Sequence, residues 1–280
     1  MTQTGKYKYI IASDLDGTLL LAKDTLSEEN KTAIKKMAEN GICFVPCSGR
    51  TFFEMPPVLL ENPYIRYYIG ADGGAIWDKQ TDERIELCMS GDVVRPVFDL
   101  LDSYDAHYSV RINGRSYIDK KKDDDEIYLR NRYSHLYVQF IKAYVNIIDG
   151  FEKKIRSAES VEMICAFFAD HEKLEECAKK LLEMGEFNVA SSEPGNIEIF
   201  HKSAGKGNAL LTLADKLGVP HENTIAVGDS KNDIDMLKKA GLSLAMENAK
   251  DEIKAIAHRT ICHYKEHSAK YILENILNVK

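Results

Sequence analysis

Asp14-Leu15-Asp16-Gly17-Thr18 sets two carboxylates two residues apart at the end of a short apolar run. If that run is a strand, its period of two puts Asp14 and Asp16 on one side and turns Leu15 toward the core. At ~4 Å in a medium of effective dielectric ~20, two like charges repel by roughly 4 kcal/mol, so the pair must recruit a cation, hold a proton, or both. Taken alone, such a pair can also cap a turn or hold a structural ion. A second acidic turn, Gly228-Asp229-Ser230-Lys231-Asn232-Asp233, changes the balance, because its acids at i and i+4 share a side if a helix starts there. Neither turn contains His or Cys, so the cation that suits these hard oxygens is Mg²⁺ and not zinc. An all-acid site with Mg²⁺ usually handles phosphate.

Two further segments supply what a phosphate needs. Cys47-Ser48-Gly49-Arg50 offers the Ser48 hydroxyl and backbone N–H groups where a helix can begin. Ser203-Ala204-Gly205-Lys206-Gly207-Asn208 puts Lys206 between glycines that allow close backbone approach, although an isolated Lys of this kind is more often a surface residue. Arg50 is open to two roles, reaching a substrate or pairing with a surface acid.

The elements that would position these groups follow from the apolar pattern. Residues 8–13 read as a buried strand. A helix opens at Ser27, with Glu28 and Glu29 in its first turn, and stops at Gly41, and 42–45 form a second strand. Short turns between them make a right-handed βαβ unit and imply a parallel sheet. The alternation returns late in the chain: strand 196–200, helix 206–217, strand 224–227, helix 233–240, strand 242–246, helix 249–258, strand 260–263 and a closing amphipathic helix 268–277. Both acidic turns then lie at the carboxyl edge of the sheet, where open α/β folds bind ligands.

The middle breaks that rhythm, with strand-like pieces at 108–112 and 161–168 and amphipathic stretches near 93–103 and 172–184. It reads as an inserted domain, giving a core of 1–83 and 189–280 and an insertion of 84–188. Within it the balanced charges of Lys120 to Glu126 suggest a solvated loop. Seven tyrosines (104, 108, 117, 128, 133, 137 and 144) suit packing better than a stacking surface for a leaving group.

The chain has 280 residues, about two domains' worth, with 44% hydrophobic and 29% charged residues, which excludes a disordered or low-complexity protein. A net charge of −7 leaves no basic field for nucleic acid or anionic lipid. Six cysteines without a C-x-x-C pair read as reduced thiols of a cytoplasmic protein, and no stretch suits a signal peptide or a membrane span.

The order Asp-x-Asp-Gly-Thr, Ser, Lys, Gly-Asp-x-x-Asn-Asp resembles the haloacid dehalogenase superfamily of phosphohydrolases. Gly205-Lys206-Gly207-Asn208-Ala209-Leu210 and Gly228-Asp229-Ser230-x-Asn232-Asp233-Ile234-x-Met236 look especially like its Cof-type sugar-phosphatase branch. The resemblance implies an α/β fold with a Rossmann-like parallel-sheet core and an inserted α/β cap that sets substrate specificity. It implies Asp14 as the nucleophile and Asp16 as the acid that protonates the leaving oxygen and then activates water. Mg²⁺ would be held by the Asp14 side chain, the Asp16 backbone carbonyl and Asp229. Ser48, the Gly49 backbone, Lys206 and Asn232 would grip the phosphoryl oxygens, with Asp233 orienting metal-bound water or Lys206 from behind. Thr18 would support the turn.

Two segments depart from that branch. Gly70-Ala71-Asp72-Gly73-Gly74-Ala75 stands where Asn-Gly is common, which keeps a Gly-rich turn, and Glu266-His267-Ser268-Ala269 replaces an acidic residue followed by Gly-Val. The expected activity is Mg²⁺-dependent hydrolysis of a small phosphorylated metabolite, a sugar phosphate for example, by a monomer or small homo-oligomer. A phosphomutase would share this core, and a phospho-accepting signalling receiver would share the acid cluster but has about half the length and no cap.

Overall fold

The computed structural model describes residues 6–22 and 24–279. These divide into two compact units: residues up to Gly49, Met55–Ile85 and from Lys206 on form the first, and Arg50–Glu54 with Glu86–Gly205 form the second.

The first unit is built on a five-stranded parallel sheet, in the order Arg259–Thr260, Leu242–Ala245, Thr224–Gly228, Tyr9–Ser13, Ile42–Pro46. Its central strands are almost continuously apolar because both faces are covered. Ile10, Ile11, Ala12, Ala226 and Val227 are all buried. A parallel bridge between Cys47 and Ile69 continues the sheet direction into Tyr67–Gly70, the first strand of a three-stranded sheet. The Glu28–Glu39 helix starts where expected, its Ser27 hydroxyl accepting the Asn30 N–H and the two glutamates answering the helix dipole.

The second unit has a six-stranded sheet, in the order Phe187–Ala190, Asn196–His201, Met163–Phe167, His107–Ile112, Arg115–Asp119, Asn146–Ile148. All pairs are antiparallel except the last. The Gly91–Ser103 and His171–Glu183 helices pack Val94, Phe98, Cys177 and Leu181 against one face, beside Val110, Ile164 and Ile199. The Asp125–Arg130 and His135–Tyr144 helices lie toward the other, with Tyr128 and Ile141 packed on Ile118.

The strand expected at 196–200 forms, but not in the parallel sheet. A turn through Pro194-Gly195 folds it back against Phe187–Ala190, and it pairs antiparallel with Met163–Phe167. The second boundary therefore lies at Gly205/Lys206 and not at 188/189. The misreading has a physical source: Asn196 through Phe200 are buried on both faces, so the segment has the apolar look of a central parallel strand. The segment from Lys120 to Glu126 is more ordered than a solvated loop. Lys120–Lys122 make a 3₁₀ turn and the Asp124 carboxylate caps the next helix through the N–H groups of Glu126 and Ile127.

Candidate active site

The sheet of the first unit delivers its polar residues from the carboxyl ends of its strands. Asp14 follows Tyr9–Ser13, Ser48 and Gly49 follow Ile42–Pro46, Asp229 follows Thr224–Gly228, and Asn248 lies just beyond Leu242–Ala245. Asp72 follows Tyr67–Gly70 through a turn in which Ala71, Asp72 and Gly73 all have positive φ (50°, 48° and 92°). Two consecutive non-glycine residues in that region are strained, and such strain persists only where the surroundings over-determine it.

Lys206, at the start of the Lys206–Leu217 helix, is the hub. Its side chain has no exposure, and Nζ donates to Asp14 Oδ1 at 2.7 Å and to Asp233 Oδ1 at 2.6 Å, with Asp72 Oδ1 at 3.9 Å. Burial alone would lower the Lys206 pKa, but the charges of Asp14, Asp233 and Asp72 outweigh it and hold the ammonium protonated well above its ordinary range. The Asp14 carboxyl is pushed well up, first by burial and then by the charge of Asp233, with Lys206 opposing both. Asp229 is raised to about 6, again by burial and Asp233, against the Thr18 hydrogen bond and Lys206.

Four carboxylates thus share one ammonium. Carboxylate oxygens of Asp14, Asp229 and Asp233 lie within 4.8 Å of one another, a hard-oxygen set suited to Mg²⁺. Among these three, Asp233 already has its oxygens engaged: Oδ1 by Lys206, and Oδ2 by the backbone N–H groups of Asp229 and Ser230. Its contacts suit orientation of Lys206 and the Asp229 turn, leaving Asp14 and Asp229 as the better-placed oxygen donors.

The Asp229 carboxylate is itself held, by the Thr18 hydroxyl at 3.2 Å and by Asn248 Nδ2 at 3.2 Å. The same Asn248 amide donates to the Gly17 carbonyl at 2.9 Å, and its oxygen accepts the Tyr264 N–H. Gly17 is required here: its φ is +83° and an added Cβ would sit 2.5 Å from Asp229 Oδ2.

Asp16 differs from Asp14 in environment, being exposed where Asp14 is only 6% exposed, though its charge still acts on Asp229. Ser48 is buried, and its carbonyl accepts the Asp72 N–H. Gly49 lies against the Asp72 carboxylate, which a Cβ would approach to 3.2 Å. Asn232 donates to Asp72 Oδ1 at 3.2 Å and accepts from the Ser230 hydroxyl at 2.6 Å. Asp229 and Asp233 do not share a helix as the spacing suggested. They flank a 3₁₀ turn, and the Ile234–Lys239 helix begins only afterwards. Arg50 takes neither expected role. It belongs to the second unit, its guanidinium over the rings of Phe140 and Tyr144.

Sequence reasoning missed two residues. Asp72 was visible as part of a Gly-rich turn, and the signal that marks it is an acid at a strand's carboxyl edge. Asn248 carries only its position after a strand end. A family model described as haloacid dehalogenase-like hydrolase matches residues 11–273. The chain belongs to the haloacid dehalogenase-like hydrolases. It is an enzyme of the phosphatase class, as the motif order implied. Among curated relatives of this haloacid dehalogenase-like hydrolase, phosphatase YwpJ of Bacillus subtilis (strain 168) is 31% identical, with 96% of this chain and 99% of that one covered. The 5-amino-6-(5-phospho-D-ribitylamino)uracil phosphatase YwtE of the same organism is 29% identical, with 96% and 98% covered. A solved haloacid dehalogenase-like hydrolase from B. subtilis superposes with a TM-score of 0.80 at 29% identity, covering 96% of this chain and 99% of its own.

Proposed function

We propose that this haloacid dehalogenase-like hydrolase removes phosphate from small phosphorylated metabolites of the sugar or sugar-alcohol class, through an aspartyl-phosphate on Asp14. The observation that carries the reading is the buried Asp14–Lys206 contact beside Asp229, a nucleophile and a counter-charge fixed at one sheet edge.

An Asp14 carboxylate oxygen attacks phosphorus as the ester P–O bond breaks, and Asp16, in its more solvated position, protonates the departing oxygen. Water then attacks the phosphorus of the acyl phosphate while Asp16 takes its proton, which frees Asp14 and inorganic phosphate. Lys206, the Ser48 hydroxyl, the Gly49 N–H and the Asn232 amide hold the phosphoryl oxygens and stabilise their charge. Asp233 keeps Lys206 in place. The Asp14 and Asp229 carboxylates with the Asp16 carbonyl would hold Mg²⁺, which when bound offsets the repulsion between an anionic nucleophile and an anionic ester.

The second unit is read as the cap that selects the leaving group. The name of YwtE places a phosphorylated ribityl chain in that relative's substrate, which supports a polyol phosphate here. The net charge of −7 supports a protein that engages neither nucleic acid nor anionic membrane, and all six cysteines are free, in keeping with the cytoplasm. No helix among the described residues is long and apolar enough to cross a membrane. We read the enzyme as a monomer or small homo-oligomer.

The test is phosphate release across a panel of phosphorylated metabolites, with and without Mg²⁺, for wild type and Asp14→Asn. Metal-dependent release that the variant loses is the expected result. Equal activity of the two proteins would overturn the assignment of Asp14, and transfer of phosphate to a second substrate position without release would mark a mutase.

A further inference from the structure

One row of side chains on the second unit's sheet has no place in the chemistry above. The sheet register puts Ser109, Cys165 and Glu198 side by side across three central strands, with Arg111 next along from Ser109. Alternation keeps them off the apolar face, where Tyr108, Val110, Ile164, Ala166, Ile197 and Ile199 pack.

Arg111 and Glu198 are each only 3% exposed, and Glu54, from the segment docked at the Gly114 turn, is 1% exposed. The charge of Glu54 acts on Arg111, yet neither it nor any other carboxylate among the described residues lies within ion-pair distance of the guanidinium. The partners present are partial. Arg111 donates to the Ser109 hydroxyl at 3.1 Å and, at 3.5 Å, toward the Tyr137 hydroxyl, while its Nε–H has no partner. Glu198 Oε1 accepts the Ser192 hydroxyl and Oε2 accepts nothing; Glu54 Oε2 accepts the Thr51 N–H and Oε1 accepts nothing; the Thr51 hydroxyl is also unpartnered. Buried charged groups are rarely left so, and each such atom calls for an account.

We propose that this cluster is a ligand site in the second unit that binds the organic part of the substrate, and that it takes an uncharged, donor-rich group, a polyol or an N–H-bearing polyol, and refuses an anionic one. The inference rests on the reading of the second unit as the specificity domain. The open atoms decide the chemistry: two carboxylate oxygens can only accept, and one guanidinium N–H can only donate. The local charge is one positive against two negative, so a second carboxylate or phosphate on the ligand would meet net repulsion. A chain of hydroxyls supplies donors to Glu198 and Glu54 and an acceptor oxygen to Arg111. A site built this way discriminates strongly, because a wrong ligand leaves buried groups unpaired.

The experiment uses the full-length enzyme and a matched pair, D-sorbitol 6-phosphate and 6-phospho-D-gluconate, which differ in a terminal CH₂OH against a carboxylate. Wild type is expected to favour the sorbitol ester at least tenfold in kcat/KM. Glu198→Gln and, independently, Glu54→Gln are expected to shrink that ratio severalfold while leaving p-nitrophenyl phosphate hydrolysis unchanged. A wild-type preference for the gluconate ester, no preference, or variants that keep the full ratio overturns the site. If wild type releases phosphate from none of the three esters, the proposed function fails instead. Ligand-observed NMR with D-sorbitol and D-gluconate then decides the site by itself: binding of sorbitol alone, weakened in Glu198→Gln, sustains it, and any other pattern rejects it.

Discussion

At the scale of single residues, the active site is organised around charge imbalance. One ammonium cannot neutralise Asp14, Asp72, Asp229 and Asp233, so the site is strained electrostatically until a cation joins it. Asn248 touches no proposed phosphate contact, but it ties the Asp229 carboxylate to the Gly17 carbonyl through one amide. Asn248→Ala is therefore expected to raise the Mg²⁺ concentration needed for half-maximal phosphate release by about 10- to 100-fold, the usual effect of losing a partner behind a metal ligand, with a smaller change in kcat at saturating Mg²⁺. A Mg²⁺ titration of activity checks it, and an unchanged midpoint would remove Asn248 from the site. Most of this constellation was legible in the sequence, because Asp14, Asp16, Asp229, Asp233 and Lys206 sit in short segments whose spacing is set by local chain geometry. Asp72 and Asn248 were not, since a carboxylate or amide is drawn into a site by the strand end it follows, and one residue after a turn has no local pattern to betray it.

At the scale of elements, the site depends on how closely two helices approach. The Lys206–Leu217 helix carries a cation at its start, where the helix dipole disfavours one, and the Asp235 carboxylate answers by accepting the Gly207 N–H at 2.9 Å. Gly207 makes this approach possible, because a Cβ there would lie 2.6 Å from the Asp235 carbonyl oxygen. Gly207→Ala must push the two helices apart. A loss of about 1–3 kcal/mol in stability is expected from such overpacking, together with a fall in kcat as Lys206 shifts from Asp14. Urea unfolding and phosphate release measure the two effects, and a variant with wild-type values in both would show that the helices adjust freely. The early elements were readable because period and caps agree, as in Glu28–Glu39. The late helices were overextended by reading periodicity alone. The stretch expected as a helix over 249–258 forms only Asp251–Lys254, and the closing helix changes after Tyr271 to the wider turns of Ile272–Ile276. Short elements of this kind are held by packing against the sheet, which a linear pattern does not report.

At the scale of the whole molecule, the two units have separate cores, and every carboxylate of the cation site lies in the first. A ligand that binds only the folded form stabilises it by RT ln(1 + [L]/Kd), about 2.7 kcal/mol at a hundredfold excess over Kd. For a unit of this size that corresponds to a rise of roughly 5–10 °C in melting temperature. Calorimetry with and without Mg²⁺ should show such a rise in the transition that carries the first unit. Asp229→Asn with Mg²⁺ should lose most of it, because that variant removes a carboxylate the cation needs. The variant's own melting temperature without Mg²⁺ should be no lower than wild type's, and could exceed it, since it also removes a repelling charge from a buried cluster. A variant that melts lower without Mg²⁺ and still gains the full rise with it would mean that Asp229 stabilises the fold through Thr18 and Asn248 and that the cation sits elsewhere.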